Sequence, residues 1–214
     1  MTNEGLGHHS HDASSGEGSW DDRYRAREQI WSGRPNGALV AEIADQSPGS
    51  ALDVGCGEGA DAVWLAVRGW RVMALDVSEV ALDRAREAAS GAGVDVEWHN
   101  TGLLDAPLAP GGFDLVNAQY PALLSTPGRG AERALLAAVA PGGTLLVVHH
   151  ADLDPERAKE HGFDPADYVA SEDVLAMLDD GWTIEVNETR PRDSLAGGDP
   201  HHTQDQVVRA RRRA

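Results

Sequence analysis

Between residues 51 and 148 the chain sets five short apolar runs among three stretches with helical periodicity, and few folds accommodate that pattern. Ala51-Leu52-Asp53-Val54 reads as a strand that stops at Gly55. Ala60, Val63, Trp64 and Val67 then mark one face of a helix ending at Gly69. Arg71 to Leu75 forms a second strand, and Ser78 is placed to cap a helix reaching about Ala89, with Ala81, Leu82, Ala85 and Ala88 turned inward. Gly91 and Gly93 close that helix ahead of a strand at Val94 to Trp98. Phe113 to Val116 is the next strand. Ala131, Ala134, Leu135 and Ala138 stripe a helix, and Pro141-Gly142-Gly143 turns into a strand at Thr144 to Val148. Near-continuous apolar strands separated by helices imply a parallel sheet covered on both faces, a three-layer αβα arrangement of the α/β class. After residue 150 the pattern changes to a helix near Ser171 to Asp179, a strand at Trp182 to Glu188, a Pro- and Gly-rich loop and a strand at Gln204 to Arg209. With no helix between them, these late strands are expected to pair antiparallel. The result is a seven-stranded sheet, mostly parallel, with one antiparallel strand near the C-terminus.

At 214 residues the chain has the length of one such domain, placed at 19–214. Residues 1–18 are almost devoid of apolar side chains and read as a solvated tail; His8, His9 and His11 lie there without a rigid element to orient them on a metal, and no metal site is assigned. Structure is expected to begin with a helix from Asp21 to Gln29. Ser32-Gly33-Arg34-Pro35 breaks it, and a second helix follows, with Pro35 in its first turn and Leu39, Val40, Ile43 and Ala44 on its inner face. No apolar run approaches the roughly 20 residues that span a bilayer, and the N-terminus lacks a basic-then-apolar leader, so a cytoplasmic location without membrane contact is expected. A formal charge of −17 argues against a nucleic-acid partner. The lone cysteine, Cys56, forms no intramolecular disulfide.

The segment Leu52-Asp53-Val54-Gly55-Cys56-Gly57-Glu58-Gly59-Ala60 leaves a strand and opens a helix, which is the setting of a nucleotide-binding turn at the carboxyl end of a sheet. The glycines alone leave the ligand open, because Gly55, Gly57 and Ala60 also satisfy dinucleotide spacing, with Asp76 near the expected ribose carboxylate. Charge discriminates. A diphosphate requires a helix mouth free of anions, whereas Glu58 stands at this mouth, Asp53 precedes the first glycine, and Asp76 and Asp105 end later segments. S-adenosylmethionine, with a sulfonium and an ammonium against one carboxylate, suits an acidic pocket. An NAD-dependent oxidoreductase is the first rival, and too few residues follow 150 for its second domain. A non-catalytic S-adenosylmethionine-binding module is the second.

The same residues resemble the signature of class I S-adenosylmethionine-dependent methyltransferases. The resemblance runs through Leu75-Asp76-Val77-Ser78, Gly102-Leu103-Leu104-Asp105, Phe113-Asp114-Leu115-Val116 and the Leu135-to-Val148 segment. Trp20-Asp21-Asp22-Arg23-Tyr24 and Trp31-Ser32-Gly33-Arg34-Pro35-Asn36 resemble the small-molecule branch related to tellurite-resistance and thiopurine methyltransferases. The resemblance implies a Rossmann-like sheet and S-adenosylmethionine as cofactor. It places Asp53 near the methionine ammonium, with Gly55, Cys56 and Gly57 lining that moiety. Asp76 would take the ribose hydroxyls, Val77 would lie on the adenine face, and Leu104 and Asp105 would meet the adenine edge. Asn117 and Gln119 would border the sulfonium, and Trp31, with Tyr24 and Arg34, would form a lid. Cys56 itself reads as a packing residue.

A small-molecule methyl acceptor is expected beyond the ends of the fourth and fifth strands. Tyr120, His149 and His150 are the candidate catalytic residues there, and one of the adjacent histidines must face away, since neighbouring strand residues point to opposite sides. His201 and His202 fall in the late loop. Arg209 to Arg213 are expected to alternate along an edge strand and balance nearby carboxylates rather than bind phosphates. A monomer or a homodimer is expected.

Overall fold

The computed structural model describes residues 20–160, 163–192 and 202–214; the expectations for the tail at 1–18, its histidines, and His201 lie outside them. The elements run α1 (Trp20–Arg25), α2 (Gly37–Ile43), β1 (Ser50–Val54), α3 (Ala60–Val67), β2 (Arg71–Asp76), α4 (Glu79–Ala92), β3 (Glu97–Asn100), β4 (Phe113–Gln119), α5 (Gly130–Ala138), β5 (Val139–His150), α6 (Pro155–Glu160), α7 (Ser171–Leu175), β6 (Trp182–Pro191) and β7 (Gln204–Arg212). They build one seven-stranded sheet in the order β3-β2-β1-β4-β5-β7-β6. β1 to β5 are parallel, and β7 runs antiparallel to both of its neighbours, β5 and β6. The strand order reverses between β1 and β4, so a crevice opens beyond their carboxyl ends. No helix among the described residues is long and apolar enough to cross a membrane.

Period-two alternation assigns each strand residue to one of two cores. Leu52, Val54, Leu75, Val116, Leu145 and Val147 pack with Leu135 on the α5 side. Ala51, Val72, Leu115, Leu146 and Val148 pack with Leu39, Ile43 and Leu65 on the α2–α3 side. The same alternation separates the adjacent histidines, His149 following Val147 and His150 following Val148.

Several boundaries differ from the sequence reading, each for a local reason. α1 ends at Arg25 rather than Gln29, because Arg84 takes the carbonyls of Tyr24 (2.8 Å) and Arg27 (2.7 Å) and Glu58 takes the amides of Ile30 (3.2 Å) and Trp31 (2.9 Å). Pro35 lies outside α2, whose N-cap is Asn36. β3 begins at Glu97 instead of Val94 and β4 extends to Gln119. Pro141-Gly142-Gly143 is absorbed into β5, where the pairing with β4 shifts register between Phe113 and Leu115. α7 stops at Leu175, β6 and β7 run on to Pro191 and Arg212, and the short helix α6 had no periodicity to announce it. Arg209 and Arg211 do balance carboxylates, with Arg209 on Glu42 (2.8 Å) and Glu185 (3.0 Å) and Arg211 on Glu185 (2.7 Å). They do so from an interior strand, not an edge.

Candidate functional site

Four structural pieces enclose a cavity at the carboxyl ends of β1 and β4. The turn from Val54 to Ala60 forms its floor, with Asp53 and Asp61 beneath. The end of β2, at Asp76 and Val77, and the loop after β3, at Thr101 to Leu103, form one wall. The segment after β4, Gln119 to Leu123, forms the other together with Arg192, while Trp20, Tyr24 and Trp31 to Arg34 cross above.

The covering segment is held by a carboxylate that the sequence counts toward the charge of the pocket. Glu58 lies at the cavity floor, but its carboxylate is taken up by protein partners. It pairs with Arg84 at 2.7 Å and accepts from the Ile30 and Trp31 amides, and its side chain is only 8% exposed. Asp21 adds a second fastening by accepting from Ser78 Oγ (2.6 Å) and from the Val80 amide (3.3 Å). Trp31 Nε1 donates to the Tyr24 hydroxyl at 3.0 Å, directly over Gly57.

The acidity of the cavity therefore rests on Asp53, Asp61 and Asp76. Burial raises the pKa of each above the usual carboxylate range, and for Asp53 the neighbouring Asp61 raises it further. Asp61 accepts from the Asn36 amide (2.7 Å) and from Asn36 Nδ2 (2.8 Å). Asp53 Oδ1 accepts from Asn117 Nδ2 at 2.8 Å, and Asp53 Oδ2 is buried with no hydrogen-bond partner among the described residues. A buried carboxylate oxygen without a donor is costly, so this one is suited to a cationic donor from a ligand. Asp76 accepts the Gly57 amide on Oδ2 (2.7 Å) and the Ser78 amide on Oδ1 (2.9 Å). Those bonds fix the carboxylate and leave each oxygen a lone pair for a diol. Val77, 57% exposed, offers an apolar wall. The donor set thus fits an ammonium, a vicinal diol and a flat heterocycle in one ligand.

The structure brings Trp31, Asp53, Gly55, Cys56, Gly57, Asp76, Val77, Gln119 and Tyr120 of the expected site residues to the cavity lining. Cys56 lies in the turn with burial raising its thiol pKa well above the ordinary value, as suits a packing residue. Asn117 lies behind the floor, fully buried between Asp53 and Gln119. Leu104 and Asp105 do not line the cavity; both are exposed on the loop beyond it, and Thr101 to Leu103 occupy the wall in their place. His149 is on the far side of the sheet, its Nδ1 2.8 Å from Ser171 Oγ on α7. His150 is one layer back: its ring stacks on Tyr120 at 4.4 Å and on His202 at 4.1 Å, and Tyr120 is the group that meets the cavity. Arg192, unmarked in the sequence, sits with its guanidinium carbon 4.8 Å from the Tyr120 ring centre. Asp61 was also missed, although an aspartate in the first turn of a helix after a glycine turn was the available signal.

Burial of the neutral His149 ring predicts an acid-sensitive fold. Its pKa falls from 6.5 to about 4 through desolvation. Stability from the neutral ring is complete above the unfolded-state value and is lost as pH falls from 6.5 toward 4. The raised carboxylates act with the opposite sign, so the comparison is with His149→Gln. Urea melts at pH 7 and 4.5 should show the parent losing about 2–3 kcal/mol more than the variant over that interval. Equal losses would remove His149 from the acid response.

Residues 51–143 match the family described as "Methyltransferase domain". The chain is 29% identical over 171 residues to the ribosomal RNA small subunit methyltransferase C of Chromohalobacter salexigens, covering 74% of this chain and 46% of that one. It is 36% identical over 113 residues to an uncharacterized methyltransferase of Mycobacterium tuberculosis, covering 52% and 55%. The chain thus spans about half the length of the curated relatives it matches. Among solved structures, it superposes with TM-score 0.69 and 25% identity, over 90% of both chains, on one described as "Conversion of a Disulfide Bond into a Thioacetal Group during Echinomycin Biosynthesis". It superposes with TM-score 0.63 and 22% identity, over 82% of this chain and 83% of the other, on the N-methyltransferase NodS from Bradyrhizobium japonicum in complex with S-adenosyl-L-homocysteine.

Proposed function

We propose that this chain, whose residues 51–143 match a methyltransferase domain, is a class I methyltransferase that transfers a methyl group from S-adenosylmethionine to a small-molecule acceptor. The observation that carries the reading is the donor-less Asp53 Oδ2 at the floor of a cavity also lined by Asp61 and Asp76, a cation-seeking oxygen where a phosphate would be repelled.

When bound, S-adenosylmethionine supplies a methyl carbon activated by a sulfonium and open to in-line displacement. The residues of this chain hold and orient. Asp53 faces the ammonium, Gly55 and Gly57 allow close approach along the turn, Asp76 takes the ribose hydroxyls, and Val77 covers the adenine. The covering segment with Tyr24 and Trp31 excludes water, and Gln119 and Tyr120 face the acceptor. No covalent nucleophile is needed. His149 has no part in this reading, and His150 acts only through Tyr120. Loss of the sulfonium on transfer removes a positive charge from an acidic cavity, which favours product release.

A small acceptor fits better than an RNA. The net charge is −17, and Arg209 and Arg211 are occupied by Glu42 and Glu185 instead of being free for a phosphate backbone. Thermal-shift and calorimetric titrations decide the donor: S-adenosylmethionine and S-adenosylhomocysteine should stabilise the protein and NADH should not, and the reverse result would return the oxidoreductase reading. A radiolabelled methyl-transfer panel of thiols, phenols, amines and a ribosomal RNA fragment then decides the acceptor. Binding without turnover on every acceptor would support the non-catalytic module instead.

Asp76→Ala should weaken donor binding by about 1–3 kcal/mol, roughly 5- to 150-fold, since it leaves two hydroxyls without an acceptor and unties the Gly57 amide. Calorimetry reads this directly, and unchanged affinity would take Asp76 out of the site.

A further inference from the structure

A chain of amide and carboxylate contacts fixes which end of Gln119 faces the cavity. The origin is Asp61, whose oxygens accept from the Asn36 backbone amide at 2.7 Å and from Asn36 Nδ2 at 2.8 Å. Asn117 Nδ2 lies 2.8 Å from Asp53 Oδ1 and 3.5 Å from Asp61 Oδ2, so it touches a carboxylate on each side. The NH2 group thus points to the two carboxyl groups and Oδ1 points away, the orientation that sets a donor against both. Asn117 Oδ1 is therefore an acceptor, and it takes Gln119 Nε2 at 2.7 Å. Gln119 Nε2 is thereby committed to Asn117, and Oε1 is the end left over. Gln119 is 8% exposed and lines the cavity, and its Oε1 is buried with no hydrogen-bond partner among the described residues. It is an acceptor awaiting a donor, on the wall that follows β4.

From this polarity chain we propose that Gln119 is the acceptor-orienting and specificity-determining residue, and that its amide oxygen selects a nucleophile bearing an N–H or O–H over an anionic thiolate or oxyanion. The inference rests on the methyltransferase reading above and narrows its acceptor class. A thiolate placed there would meet the oxygen lone pairs, whereas an amine or hydroxyl would donate a hydrogen and have its own lone pair oriented. The amide is no base. It orients the nucleophile, and the proton finally leaves to water. The same chain ties acceptor recognition to Asp53, because Asn117 holds both.

The test uses two donor-site ligands that differ in one group. Sinefungin carries an amine on carbon where S-adenosylmethionine has its sulfonium and methyl, and S-adenosylhomocysteine has a bare thioether. The parent protein should prefer sinefungin, and Gln119→Leu and Gln119→Met should each cut that preference by about tenfold or more while S-adenosylhomocysteine affinity stays within about twofold. If both variants fail to fold, Gln119→Asn, which keeps an amide but withdraws its oxygen by one methylene, should lower the preference by about threefold or more. Equal losses for both ligands would assign Gln119 to the donor's ammonium and overturn the proposal, and so would an unchanged preference. Failure of the parent protein to bind either ligand would instead overturn the methyltransferase reading. With phenol, benzylamine and thiophenol offered together, methyl on oxygen or nitrogen is expected, and methyl on sulfur alone overturns the proposal.

Discussion

Gly57→Val is expected to abolish S-adenosylmethionine binding, with an affinity loss above about 100-fold, in a protein that still folds. Gly57 has φ +53, a left-handed conformation that a β-branched residue adopts at a cost of about 1–2 kcal/mol or more. Its Cβ would also lie 2.9 Å from the Tyr24 hydroxyl and 3.2 Å from Trp31 Nε1, so the branched side chain would push both the covering segment and the ligand away. Because the clash is with the covering segment, Gly57→Ala should show an intermediate loss, and Tyr24→Phe in the same protein should recover part of it by removing the oxygen. Calorimetry and circular dichroism check this. A valine variant that binds the donor within about threefold of the parent would contradict the placement of the site at this turn.

Glu58→Ala is expected to have the next largest effect, by loosening the cover instead of touching the ligand. Glu58 is one partner of a largely buried pair with Arg84 and the acceptor for the Ile30 and Trp31 amides. Its removal leaves a partly buried guanidinium and free amides, for a loss of about 2–3 kcal/mol, below the range for a fully buried pair because Arg84 is 25% exposed. For a domain of this size that lowers Tm by roughly 5–10 °C. Trypsin should then cut faster at Arg25 and Arg27, and donor affinity should fall about tenfold or more. Unchanged cleavage and affinity would show that the segment is held by Asp21 and Ser78 alone.

The strand and helix order was legible because β1, β2 and β5 are continuous apolar runs, and because Ser78 and the glycine turn mark helix starts by local chemistry. The antiparallel late strand followed from the missing crossover helix. Its position between β5 and β6 did not, since strand order depends on which edge accepts a partner and no residue in Gln204 to Arg212 encodes that. At the site, Asp53, Gly57 and Asp76 were readable from spacing. The charge of Glu58 was counted toward the pocket because a carboxylate in a glycine turn looks the same in sequence whether it meets a ligand or an arginine, and Arg84 is a helix and a strand away. Asp61 was marked only by its place in the first turn after the glycines, and Arg192 carries no mark of its own. The face of each histidine depended on the register of β5, and period-two reading required one to turn inward without saying which.

The insertion of β7 between two strands made earlier sets an order of events during synthesis. Among the described residues β6 pairs in the sheet with β7 alone, so its hydrogen-bonding edge is unmet until Gln204 to Arg212 are in place. The parallel core from β1 to β5 can assemble meanwhile, but the edge of β5 stays open to other nascent chains. Slow translation or a stall within that interval would expose the edge for longer, so the yield of native protein should be sensitive to codon choice there and less so in the glycine turn.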